Sequence, residues 1–195
     1  MDLRAGVHAI HVTALGVWAG ALAMTGASAA VLFPTLKALH PTLRAYSGYP
    51  GDAEGGHGVL AAGHVAARLF AIGDAAGFVC ALVAGATLLI GPALLGQTWR
   101  RGIFMVRACL LGTGLCLLAY QLMVLGPRMQ TNLRGYWDRA LAGEVDLAEQ
   151  FRAAFAAEHP TASLVLVTTT LVVLAGAFLG ALDRPERAGT PPNGT

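Results

Sequence analysis

Ala71–Leu95, reading AIGDAAGFVCALVAGATLLIGPALL, decides the fold, because a single charged residue, Asp74, interrupts an otherwise apolar run. A helix needs about 20 apolar residues to cross roughly 30 Å of hydrocarbon, and this stretch is long enough. Three more follow the same rule: Val7–Leu32, Ile103–Gly126 and Thr161–Leu182. None alternates apolar with polar residues as a barrel strand does, so the backbone must satisfy itself as helices. The expected fold is all-α, an integral membrane four-transmembrane-helix bundle.

Composition agrees. Of 195 residues, 55% are hydrophobic and 12% charged, about half the charge of a soluble domain, and the mean hydropathy is +0.60. The length allows one bundle and no second domain. A net charge of +2 is too small to imply nucleic acid, so the expected partners are the lipid bilayer and other membrane protein subunits. The small residues Gly16/Gly20 and Gly73/Gly77 each stand four apart, the spacing that lets membrane helices approach closely. Cys80, Cys109 and Cys116 all lie in apolar segments without CxxC spacing, which points away from zinc or redox chemistry. Ala27-Ser28-Ala29 looks like a cleavage site, but the apolar run exceeds the ~7–15 residues of a signal-peptide core. The first segment is therefore expected to remain as an anchor helix.

Residues 1–182 form the expected transmembrane domain, with helices at about 7–39, 59–95, 103–126 and 161–182, and 183–195 as a polar tail. A bend is expected near Phe33-Pro34. Residues 40–58, rich in proline and glycine, read as a loop, and the run from Val59 can continue into the second helix. The short basic loop 96–102 should fold helices two and three into a hairpin, with Trp99 in the interfacial aromatic belt. In the polar segment 127–160, Leu133, Trp137 and Leu141, then Leu147, Phe151 and Phe155, recur at helical spacing. They predict two short amphipathic helices split near Gly143 and lying along the membrane surface, or a soluble loop packed on the bundle. Arg4, Arg100, Arg101, Arg184 and Arg187 are dense on short segments of one side, whereas more basic residues are spread over the long loops of the other. Density places both termini in the cytoplasm, with a bacterial inner membrane as the expected location; total count favours the opposite orientation.

Short motifs resemble a known family. Trp18-Ala19-Gly20 followed by Val31-Leu32-Phe33-Pro34-Thr35-Leu36 is similar to the first helix of the TMEM205-like family of four-helix membrane proteins, a domain of unknown function. Ala62-Gly63-His64-Val65-Ala66-Ala67-Arg68-Leu69-Phe70 resembles that family's entry to helix two. Gly126-Pro127-Arg128-Met129, leading through Arg134 to Phe155, His159 and Ser163, resembles its approach to the last helix. The resemblance spans residues 8–182. It implies a four-helix membrane protein and no particular activity; His8, His11 and His64 depart from its pattern. His11 with Trp18-Ala19-Gly20 is also similar to the first helices of haem- or copper-associated membrane proteins.

Few residues could carry chemistry. His8 and His11 share one face of the first helix and cannot bracket a haem plane. His40, His57, His64 and His159 gather at the opposite membrane side, where His64 and His159 are the pair that could hold haem b or a metal ion from facing helices. Histidines near helix ends also serve simply at the headgroup zone. No HExxH, HxxxH or CxxCH pattern is present. Intramembrane charges are costly and usually functional, which singles out Asp74, Arg107 and the nearby Arg68. Arg107 is expected to snorkel to the headgroups with Arg100 and Arg101, at the side opposite Asp74. His64, Asp74 and His159 form either a proton or ion site or a polar clamp, the plainer reading. Thr168, Thr169 and Thr170 can bond back to their own helix. No nucleophile motif, phosphate loop or inverted repeat is found. The expectation is a non-catalytic accessory or scaffold subunit of a larger membrane assembly. A haem- or metal-binding protein, or an ion or proton conductor centred on Asp74, are the alternatives.

Overall fold

The apolar stretches grow into helices longer than the bilayer needs. In the computed structural model, residues 3–50, 56–95 and 102–182 are described. Residues 96–101, with Trp99, Arg100 and Arg101, and those from Asp183 onward lie outside them. Helix α1 is Leu3–Leu39, α2 is His57–Leu95, α3 is Gly102–Tyr120, α4 is Gly126–Leu141 and α5 is Val145–Leu182. A short 3₁₀ turn, Arg44–Tyr46, lies between α1 and α2. One π-helical segment, Gln121–Leu125, joins α3 to α4 without a break. Four helical units are long and apolar enough to cross a membrane, α3 and α4 counting as one from Gly102 to Leu141. The protein is all-α, and the four pack as a bundle. At 1.5 Å per residue, helices of 37 to 39 residues extend about 56–58 Å, nearly twice the hydrocarbon thickness. The excess length builds a cap at the end where α1 stops and α2 starts.

The bundle is uneven. Helix α1 packs along α2 and α5, and α5 also packs on α3 and α4, whereas α2 and α3 touch sparsely. The hairpin expected from the short 96–102 loop is therefore splayed, with α1 and α5 filling the space beside it.

The two short amphipathic helices expected along the membrane surface are not separate elements. The first is α4, which continues α3, and the second is the opening of α5, which runs on into the last apolar stretch. Proline explains both the expectation and the outcome. Pro127 has no N–H to give to the preceding turn, and the π segment just before it, with its wider ladder, supplies the local adjustment. There the Gly126 N–H bonds to the Gln121 carbonyl, and a Cβ at Gly126 would meet that oxygen at 2.8 Å, so only glycine fits. Pro34 and Pro160 sit inside α1 and α5, which continue through them. The split does fall at Gly143, whose φ of +73° is left-handed backbone that favours glycine.

Two buried clusters result. In the membrane layer, Trp18, Leu15 and Leu22 of α1 meet Ala81 and Ala84 of α2, Leu111 and Leu118 of α3, and Val173 and Ala177 of α5. In the cap, Tyr49 and Leu60 meet Tyr136, Ala140 and Ala148, with Tyr46, Leu133, Trp137 and Phe151 packed around them.

Candidate functional site

The polar side chains sort into three levels along the bundle. At the cap, the loop 40–50 is pinned by His57. Its Nδ1 accepts the Leu43 N–H at 3.0 Å, so Nε2 carries the proton and donates toward the Tyr46 and Tyr49 carbonyls, each at 3.0 Å. Every ring nitrogen is thus used, and His57 acts as a loop clamp. Tyr49 is buried beside Tyr136, ring edge to face at 6.0 Å, and its hydroxyl donates to Glu149. Arg152 Nε donates to the same carboxylate at 2.6 Å. Burial first, and the bond to Glu149 next, hold the Tyr49 phenol well above its ordinary ionisation range.

Two turns further along α2, His64 lies flat on Trp137 of α4, ring centroids 3.9 Å apart and planes 22° from parallel. Its Nε2 is 2.8 Å from the Tyr46 hydroxyl. Beside this stack runs an open cleft of about 250 Å³ between α2 and α4, lined by His64, Arg68, Gln130, Leu133, Arg134 and Trp137. Arg134 donates to Gln130 Oε1 at 3.2 Å.

His159 is not part of this group. It is exposed on α5, with the Phe155 ring of its own helix 6.2 Å away. Its neighbour Glu158 pairs with Arg128 at 2.7 Å, whereas His64 stacks on Trp137. Arg128 and Trp137 are nine residues apart on one helix, about 13 Å along its axis. The structure therefore separates the two imidazoles in depth instead of bringing them to one haem plane or metal ion. Among the described residues, no cluster of three or more His, Cys, Asp or Glu could hold a metal.

Asp74 is in the membrane layer. Gly77, three residues on, faces Trp18, and a Cβ built there also reaches Leu118 of α3 at 3.9 Å. Helices α2 and α3 run in opposite directions, so Asp74 and Gln121 both stand one turn nearer the cap than that contact. The Asp74 side chain is half-buried and has no hydrogen bond or ion pair among the described residues. Neither His64, ten residues away at the cap, nor His159 joins it, so the expected constellation of three does not form.

At the far end, His11 lies on the helix face it was expected to share with Leu15 and Trp18, whereas Arg107 departs from its expected place. His11 is 3% exposed, its Nδ1 lying 3.1 Å from the Ala84 carbonyl and 3.0 Å from Thr87 Oγ1. A carbonyl only accepts, so Nδ1 carries the proton and ties α1 to α2. Arg107 does not snorkel: it is 7% exposed, with its guanidinium over Gly180 of α5. The missing side chain at Gly180 gives the head group room inside the bundle.

The glycine pairs divide as well. Gly73 and Gly77 are buried and receive Thr25 and Trp18 of α1. Gly16 and Gly20 face outward, with nothing within 4 Å of a built Cβ. Cys109 and Cys116 are exposed on α3, and all three cysteines are free.

The cleft was missed because it joins two distant segments. Its signals were the four-residue spacings His64/Arg68 and Gln130/Arg134, which put each pair on one helix face. Compared with known proteins, the chain matches no family model, no curated protein and no solved structure. What stands is an integral membrane four-helix protein.

Proposed function

We propose that this is a non-catalytic membrane subunit that docks a transmembrane helix of a partner against the Asp74 side of α2. The observation that carries the reading is the carboxyl of Asp74, half-buried at membrane depth and unpaired among the described residues. Charged groups at such depth face a partner or a watered cavity, because lipid cannot solvate them. Phe78 and Leu82, four and eight residues on along the same helix face, are 49% and 57% exposed, and α2 and α3 touch only sparsely. The partner helix would bring a hydrogen-bond donor or basic side chain opposite Asp74. Placement in a bacterial inner membrane with both termini cytoplasmic, and kinship with the TMEM205-like proteins, belong to the same proposal.

A second reading uses the same residue. Gln121 stands level with Asp74 on the π segment, and such segments recur at functional sites; together they would serve as a proton relay. Purification in mild detergent with mass spectrometry separates the two. A stoichiometric membrane partner, lost from Asp74→Leu, is expected for the subunit. A chain that purifies alone, with proton flux into liposomes abolished by Asp74→Asn, would overturn it in favour of the relay.

A further inference from the structure

The cleft between α2 and α4 has the chemistry of an anion site, and it belongs to a different level from Asp74. Arg68 and Arg134 enter it from opposite helices, with Gln130 beside them and the His64–Trp137 stack as its wall. Arg68 has no hydrogen bond or ion pair among the described residues. Arg134 is engaged only by the neutral Gln130 amide oxygen, which leaves its charge uncompensated. No carboxylate lines the cleft. Three other arginines of the cap meet acids, Arg128 with Glu158, Arg139 with Glu144 and Arg152 with Glu149, while Arg44 has no ion pair among the described residues. The cleft differs in turning two unneutralised guanidiniums toward one opening.

The position of the cleft narrows its ligand. Arg68 lies three residues before the apolar stretch that begins at Ala71, and Gln130 lies four residues beyond the one that ends at Gly126. The cleft is therefore level with the headgroup zone. Val65, Leu69 and Ile72 beside it on α2 are 45%, 36% and 67% exposed, an apolar flank on which acyl chains can lie. Arginine forks match phosphate oxygens with paired N–H groups, and basic pockets between membrane helices suit phospholipid headgroups.

We infer that Arg68 and Arg134, with Gln130 and the His64–Trp137 wall, form a binding site for a phosphoryl anion, either the headgroup of an anionic phospholipid or a free phosphate. Native mass spectrometry of the full chain in mild detergent supplies the lipid test. It is titrated with phosphatidylglycerol, with phosphatidylcholine as the zwitterionic control. A parallel arm titrates inorganic phosphate by calorimetry. Phosphatidylglycerol should bind in preference to phosphatidylcholine, and each of Arg68→Gln and Arg134→Gln should weaken it about fivefold, the usual weight of one basic residue near a membrane surface. Arg139→Gln, at the far tip of the hairpin, should not. The same variant pattern with inorganic phosphate and no lipid preference would identify a soluble ligand for the same site. Arg68→Lys, which keeps the charge, guards against a folding defect and should retain part of the binding. Equal binding by the double Arg68→Gln/Arg134→Gln variant, or no anion bound in either arm, would overturn the assignment.

Discussion

Around Trp18 the chain packs with one large ring and many small partners; around Tyr136 it packs with several rings and a web of hydrogen bonds. In the membrane layer, Trp18 is fully buried and inserts between Gly77 of α2 and Gly114 of α3, whose built Cβ atoms would stand 3.0 Å and 3.4 Å from the indole. In the cap, Tyr49, Tyr136 and Leu60 are packed tightly, and His57 and Glu149 bind the loop and α5 to them. The difference follows from the solvent. Lipid offers no hydrophobic drive between helices, so close approach through small residues does the work there. Water surrounds the cap, so burial of rings contributes and exposed backbone must be tied down.

The sharpest way to break that comparison is to delete the same side chain in each layer. Leu60 is 0% exposed in the cap and Leu15 is 3% exposed in the membrane layer. Leu60→Ala should cost about 2–5 kcal/mol, the usual loss for a buried leucine in a water-solvated core. Leu15→Ala should cost clearly less, because the separated helices keep that side chain in lipid. Unfolding titrations in mixed micelles measure both, and equal losses would remove the solvent argument.

Overfilling the glycine socket should come next. Gly77→Ile places new atoms against the Trp18 indole and drives α1 from α2, at about 1–3 kcal/mol. A fall in melting temperature and increased access of a thiol probe to Cys80 would report it. Unchanged melting would mean that Trp18 has another place to go.

A smaller effect isolates the cap's hydrogen bonding. Tyr49→Phe keeps the ring and removes the bond to Glu149, a loss of about 1 kcal/mol. It should also change the pH response. The phenol's ionisation is raised in the folded chain, so its contribution is complete below a free tyrosine's value near pH 10 and is lost as pH rises beyond it. Melts between about pH 9 and 11 should show a shallower alkaline decline in Tyr49→Phe than in the parent. A parallel decline would show that Tyr49 does not govern it.

These contrasts also explain what could be read in advance. The four spans follow from length and hydropathy alone, and the break at Gly143 follows from the residue itself, since left-handed backbone selects glycine. The continuity of α4 with α3 was hidden because Pro127 looks like a terminator until the π segment before it is seen. The depth of His159 was hidden for a related reason: α5 begins at Val145, so fourteen residues of helix precede that histidine. Arg107 was misjudged because its room comes from Gly180, far along the chain. The cleft of His64, Arg68 and Arg134 likewise depends on α2 meeting α4, a contact no local spacing encodes.

The smallest effect on the fold is also the most informative about assembly. Gly16 and Gly20 have the same spacing as Gly73 and Gly77, yet their built Cβ atoms meet nothing within 4 Å. Local sequence cannot distinguish the pairs, because each is set in an apolar helix; their partners do. Gly16→Ile should therefore leave the melting temperature of the isolated protein close to the parent's, within the ±0.5 kcal/mol typical of surface changes, while Gly77→Ile lowers it. In membranes the order can reverse: if a second helix packs on the outward face of α1, Gly16→Ile blocks its approach and Gly77→Ile leaves that face intact. Cross-linking through a cysteine placed at Val17, 54% exposed on the same face, reads that approach directly. Loss of the cross-link in Gly16→Ile, with the melt unchanged, would assign the outward pair to contacts between proteins. A lowered melt would instead place Gly16 in the protein's own packing, and the division between the two glycine pairs would fail.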